Sequence, residues 1–163
     1  MIRLSKKMLF AIEAVLDIAY NASSEPVQSS DISRRQEIPK RYLEQALQQL
    51  VRNDILIGIR GPRGGYRLAR ERRRISIGDI VRIVRSMESS DDPITDAVGS
   101  ELGTKVVRPM WLDLQADVMS RLDVITIDDL CDKAAKADID SEGRTNLNFS
   151  IRTTTTIREC QTP

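Results

Sequence analysis

The stretch Gly61-Pro62-Arg63-Gly64-Gly65-Tyr66 first suggests chemistry, because closely spaced glycines let backbone N–H groups approach phosphate oxygens. Its spacing argues against a nucleotide loop. A Walker loop has four residues between its glycines followed by Lys-Ser/Thr, whereas Tyr66 and Arg67 follow here. A dinucleotide fingerprint joins a strand to a helix, but this loop is flanked by two strand-like runs, ILIGIR and GYRLAR. The context is a hairpin with Arg60 and Arg63 near its tip, where they can enter a minor groove or clamp phosphates. A hairpin with incidental arginines is the alternative. Catalytic readings lack residues: the chain has no histidine, which removes Ser-His-Asp and Cys-His activation and most catalytic zinc sites. Its two cysteines, Cys131 and Cys160, are far apart and form no C-x-x-C pair, so neither a disulfide framework nor a zinc ribbon is expected.

The elements that position the hairpin are helices. KKMLFAIEAVLDIAYNAS repeats apolar residues at helical spacing and stops at a cluster of turn formers. Ser29, Ser30 and Asp31 offer N-caps for a short helix to about Gln36, and Pro39 suits the first turn of the next. In that next helix Leu43, Ala46, Leu47, Leu50 and Val51 form one apolar stripe, and Lys40, Arg41, Glu44, Gln45, Gln48 and Arg52 occupy the other face. Such a face is usually only solvated. Here two helices joined by a short turn precede the hairpin, the order of a winged helix-turn-helix, whose second helix enters the major groove. Glutamine and arginine can then bond base edges, Glu44 can accept from cytosine N4, and Lys40 or Arg41 can hold phosphates. In the hairpin, Gly61 and Pro62 reverse the chain, while Gly64 and Gly65 are expected to permit positive φ or a bulge.

After the hairpin, RERRR at 70–74 reads equally as backbone-facing or solvated, and a helix is expected to open near Ser76. The expected fold is mainly α, divided into a winged helix-turn-helix domain at 1–87, an acidic linker at 88–104, a dimerisation helix with a last short helix at 105–137, and a polar, disordered tail at 138–163. In the long helix Val107, Trp111, Leu114, Val118 and Leu122 form an apolar seam suited to a second copy or to an intramolecular core, and Pro109 belongs in its first turn. Residues 1–90 carry 17 Lys+Arg against 10 Asp+Glu, and residues 91–163 carry 8 against 14. The basic part can meet a polyanion while the acidic part is better suited to self-association, sensing or protein contacts. With no signal peptide and no long apolar run, a soluble cytoplasmic protein is expected.

These residues also resemble the bacterial Rrf-type repressors, which include an iron-sulfur cluster regulator, a nitric-oxide-sensitive repressor and a cysteine-metabolism repressor. The likeness rests on RLSKK, VLDIA, DISRRQEIPKRYLEQALQQL, IRGPRGGYRLAR and the paired WLDL and VITIDDL segments, over about residues 2–135. It implies a homodimeric winged-helix transcription factor on a pseudo-palindromic operator, acting in iron-sulfur, redox or sulfur homeostasis. It also implies that Tyr42, Glu44 and Gln45 lie in the groove, that Lys40 and Arg41 flank them, and that Arg60 is the wing's minor-groove arginine. Cluster-binding members carry three cysteines where this chain has Pro93, Gly99 and Lys105, so conventional iron-sulfur ligation is not expected. Cys131 remains as a buried small residue, a redox thiol or a single ligand of an atypical cluster. The alternative function is a protein-interaction module that keeps the winged fold with little DNA affinity.

Overall fold

The computed structural model describes residues 5–87 and 100–143. Helix α1 (Lys6–Tyr20) opens on Ser5, whose hydroxyl accepts from the Met8 N–H at 3.2 Å. It buries Met8, Ala11, Val15 and Ile18 at helical spacing. Helices α2 (Ser29–Gln36) and α3 (Lys40–Arg52) follow, joined by a turn in which Glu37 takes a left-handed φ of 53° and the Ser33 hydroxyl donates to the Ile38 carbonyl at 2.7 Å. Two expected helix starts differ by a residue. Val27 is bridged to Tyr66 by reciprocal backbone bonds of 3.0 and 2.8 Å, so the chain enters α2 early and Gln28, not a serine, takes the cap position. Pro39 caps α3 from outside, its carbonyl accepting from the Tyr42 and Leu43 N–H groups.

Strands β1 (Leu56–Ile59) and β2 (Gly65–Leu68) pair antiparallel, with Ile59 opposite Gly65 and Leu56 opposite Leu68. Helix α4 (Ile77–Met87) starts with a reciprocal box, the Ser76 hydroxyl accepting from the Asp79 N–H at 3.0 Å and the Asp79 carboxylate from the Ser76 N–H at 3.2 Å. The apolar faces of α1, α3 and α4 enclose one core, in which Ile32, Leu47, Leu50, Ile55 and Ile80 have no exposed surface. This core fixes α3 from behind and leaves its polar face outward.

Helix α5 (Arg108–Val124) carries Pro109 near its start. The coil nevertheless begins earlier than expected. A π-helical turn, Gly103–Val107, leads directly into α5, and the Arg108 N–H reaches back to the Gly103 carbonyl. This wider turn relieves the crowding that the Pro109 ring would impose on the carbonyl four residues before it. The rest of the expected linker, 88–99, lies outside the described residues. Helix α6 (Ile127–Lys136) is capped by Thr126 and Asp129 and buries Ile127 and Cys131.

The seam expected along α5 is divided. Leu122 packs against the core together with Met119, and Trp111 is partly buried, while Val107, Leu114 and Val118 stay 40–54% exposed, as does Met110 at 52%. The first residues of the polar tail expected from 138 are ordered. Ile139 to Gly143 lies against the end of α1: the Tyr20 hydroxyl donates to the Ile139 carbonyl at 2.6 Å, and the Ser141 hydroxyl to the Tyr20 carbonyl at 2.8 Å. Polar composition misled because these residues bond to backbone instead of burying apolar surface. The remainder of that tail, including Cys160, is outside the described residues. Among the described residues no helix is long and apolar enough to cross a membrane.

Candidate nucleic-acid interface

Helix α3 turns Leu43, Ala46, Leu47 and Leu50 into the core, so its period of 3.6 residues sets Lys40, Arg41, Tyr42, Glu44, Gln45 and Gln48 outward. All six are exposed. The Tyr42 ring leans on Phe10 of α1, with centroids 6.4 Å apart and planes inclined at 44°, which restricts the aromatic at the start of α3.

The outward face has two flanks. On one, Tyr42 and Gln45 border a small hollow shared with Lys7 and Phe10 of α1 and Met87 of α4. On the other, Gln48 and Arg52 border a groove of about 700 Å³ whose remaining walls are the start of α2 and the hairpin. Arg60 lines this groove, as do Gln28, Ser29 and Ser30. Helix α2 therefore presents its amino end, with its unpaired N–H groups, beside two arginines from separate elements, an arrangement suited to a phosphodiester. Sequence reading named Gln48 and Arg60, and set Arg52 on the same helix face, but did not bring the start of α2 to them. The serines were read only as caps, and the Val27–Tyr66 bridge that brings them to the hairpin joins segments far apart in sequence.

Arg63 lies at the hairpin tip but outside this groove. Its guanidinium pairs with Glu25 at 3.4 Å, both side chains being mostly exposed, and it does not line the groove. The glycines act differently from expectation. The positive φ, 117°, belongs to Gly61, and the Gly64 N–H closes the turn on the Gly61 carbonyl at 2.9 Å. Gly64 and Gly65 instead permit close approach: a Cβ on Gly64 would stand 2.4 Å from the Ile59 carbonyl oxygen, and one on Gly65 2.4 Å from that of Val27. The loop's glycines thus serve its shape, which brings Arg60 to the α3 side.

A family of regulators matches residues 4–133, described as iron-dependent transcriptional regulators and named Rrf2. The chain belongs to the Rrf2 family. It is 34% identical to the HTH-type transcriptional regulator IscR of Escherichia coli over 155 residues, covering 94% of this chain and 93% of that one. Among solved structures it is similar to T. potens IscR, with a TM-score of 0.68 and 28% identity over 86% of this chain and 93% of the other. It is also similar to CymR, the global cysteine regulator of B. subtilis, with a TM-score of 0.65 and 26% identity over 82% and 98%. This Rrf2-family protein is accordingly a winged-helix, DNA-binding transcriptional regulator.

The family's iron dependence can be set against the donors that this chain offers. It has two cysteines and no histidine. Cys131 is buried under Arg72, and burial pushes its thiol up, partly opposed by the Arg72 guanidinium. Lys105, which the resemblance sets opposite a cluster cysteine, pairs with Glu101 at 2.8 Å, while Pro93 and Gly99 lie outside the described residues. Among the described residues no three His, Cys, Asp or Glu side chains converge as a metal site. These donors do not fit a thiolate-held cluster.

Proposed function

We propose that the protein is a homodimeric repressor that binds double-stranded DNA at a pseudo-palindromic operator. The observation that carries this reading is the shared groove, in which the amino end of α2, Gln48 and Arg52 of α3 and Arg60 of the hairpin meet around one cleft. In this reading α3 lies in the major groove. Lys40 and Arg41 hold phosphates at its start, Tyr42, Glu44, Gln45 and Gln48 meet base edges, and Arg60 enters the adjoining minor groove. Arg63 serves as an outer phosphate contact once its exposed pair with Glu25 opens, which costs little because such pairs contribute little in water.

The exposed strip of Val107, Met110, Leu114 and Val118 supports the homodimer, since a second copy would cover it while Trp111 and Leu122 close its inner edge. Two copies then present two reading heads. The regulated process lies in iron, redox or sulfur homeostasis, as the family's description and the relatives' names suggest. Cys131 acts there as a packed small residue.

Selection of duplexes from a genomic library by the purified protein, followed by anisotropy titration from low to high salt, tests the reading. A palindromic motif is expected, with affinity falling roughly 10³-fold or more between 50 and 200 mM salt if the dimer neutralises about six phosphates. Enrichment of no motif at low salt would overturn it in favour of a winged fold that binds proteins.

A further inference from the structure

Outside the groove, the most elaborate polar cluster among the described residues joins α1, α2 and the segment after α6. Asp17 of α1 is buried, and its carboxylate accepts from Arg35 Nε at 2.9 Å, another Arg35 nitrogen at 2.7 Å and Gln36 Nε2 at 2.8 Å. The Asn21 amide adds a donor at 3.3 Å. The remaining guanidinium nitrogen of Arg35 bonds Glu142 at 2.5 Å, and Arg34 bonds the same carboxylate at 3.0 Å. Glu142 is held in turn by its own backbone, whose N–H donates to Asn21 Oδ1 at 3.0 Å. Gly143 then sits where a Cβ would fall 2.6 Å from the Asn21 carbonyl oxygen.

The position of this cluster gives it a consequence. Arg34, Arg35 and Gln36 form the last turn of α2, directly before the left-handed Glu37 and the start of α3. Whatever fixes that turn fixes the angle between the helix at the groove's edge and the helix on its floor. Asp17 anchors Arg35 from inside, and Glu142 holds it from outside.

We infer that Glu142 is a positioning residue for DNA reading: segment 139–143 straps the end of α2 and so sets the angle of α3. The inference rests on the DNA-binding reading above. No base or phosphate contact by Glu142 is involved.

Two full-length variants undo the strap by different physics. Glu142→Gln removes the charge, and Gly143→Val adds a side chain where two backbone carbonyls stand. Asp140→Asn, an exposed position nearby, makes the same change in net charge without the contact. Affinity for the selected operator and for a scrambled duplex would be measured well below the melting temperature, with amide exchange followed at Gln36–Ile38.

Both strap variants are expected to lose about two- to tenfold in operator affinity. Their preference over the scrambled duplex should fall while the salt slope is kept, exchange at the turn should quicken, and Asp140→Asn should behave as the parent. A loss of stability alone would not move the operator-to-scramble ratio in folded protein. Strap variants that match the parent in this ratio and in exchange would overturn the inference alone. A parent that selects no operator would overturn it together with the reading on which it rests.

Discussion

Arg60 and Gln48 reach one groove from different elements, so their substitutions should have separable signatures. Arg60→Ala is expected to weaken binding by about 1–3 kcal/mol, roughly five- to 150-fold, and to lower the salt slope by about one, read by anisotropy titration. Glu44→Ala should bind scrambled duplex better relative to operator, because a carboxylate near DNA favours only bases that donate to it. Unchanged discrimination would remove Glu44 from the reading face. Cys131 should resist alkylation in the native protein and react on unfolding, as mapped by peptide mass spectrometry. Burial holds it in the unreactive thiol form, and fast native labelling would revive a redox role. At this scale much was legible: the apolar period of α3 alone decided which side chains point outward. The ion pair of Arg63 was not, because its partner Glu25 lies in another loop.

The helix-turn-helix and the hairpin respond differently to damage. Leu47→Ala removes a fully buried side chain behind the reading face and is expected to cost about 2–5 kcal/mol of stability, measured by denaturant unfolding. Gly64→Ala forces the hairpin tip open against the Ile59 carbonyl but leaves the core untouched. It should reduce DNA affinity with little change in melting temperature. A hairpin variant that bound DNA normally would count against the wing's role. The existence of α1, α3, β1 and β2 could be read from periodicity and turn formers, because these patterns report local geometry. The π turn before α5 and the docking of 139–143 could not. The first is a response to the Pro109 ring within a continuous helix, and the second depends on backbone carbonyls of α1 that sequence spacing does not bring near.

For the whole molecule, α5 and the scattered carboxylate contacts decide behaviour. Val118→Asp places a charge in the exposed strip of α5 and should give a folded monomer by sedimentation, with operator affinity lost because one reading head cannot span two half-sites. Acid should weaken the fold through three contacts. The Thr126 backbone and hydroxyl hold Asp129 below the usual carboxylate range, Arg82 does so for Asp123, and Arg34 with Arg35 does so for Glu142. Each group has a lower pKa folded than unfolded, so its contribution is present above the ordinary carboxylate value near pH 4. It disappears as pH falls through the depressed one. The melting temperature should therefore fall as pH drops below about 4, and Glu142→Gln should flatten part of that fall.

The sequence by itself determined the class of this protein. Helical period, the turn formers of the hairpin and the charge division are local or compositional, and together they point to a winged-helix regulator. Tertiary structure alone decided which residues share a groove, which part of the α5 seam is spent inside the chain, and what the segment after α6 touches. Those outcomes depend on contacts between residues far apart in sequence. Such contacts form only when the core of α1, α3 and α4 has fixed the angles between elements.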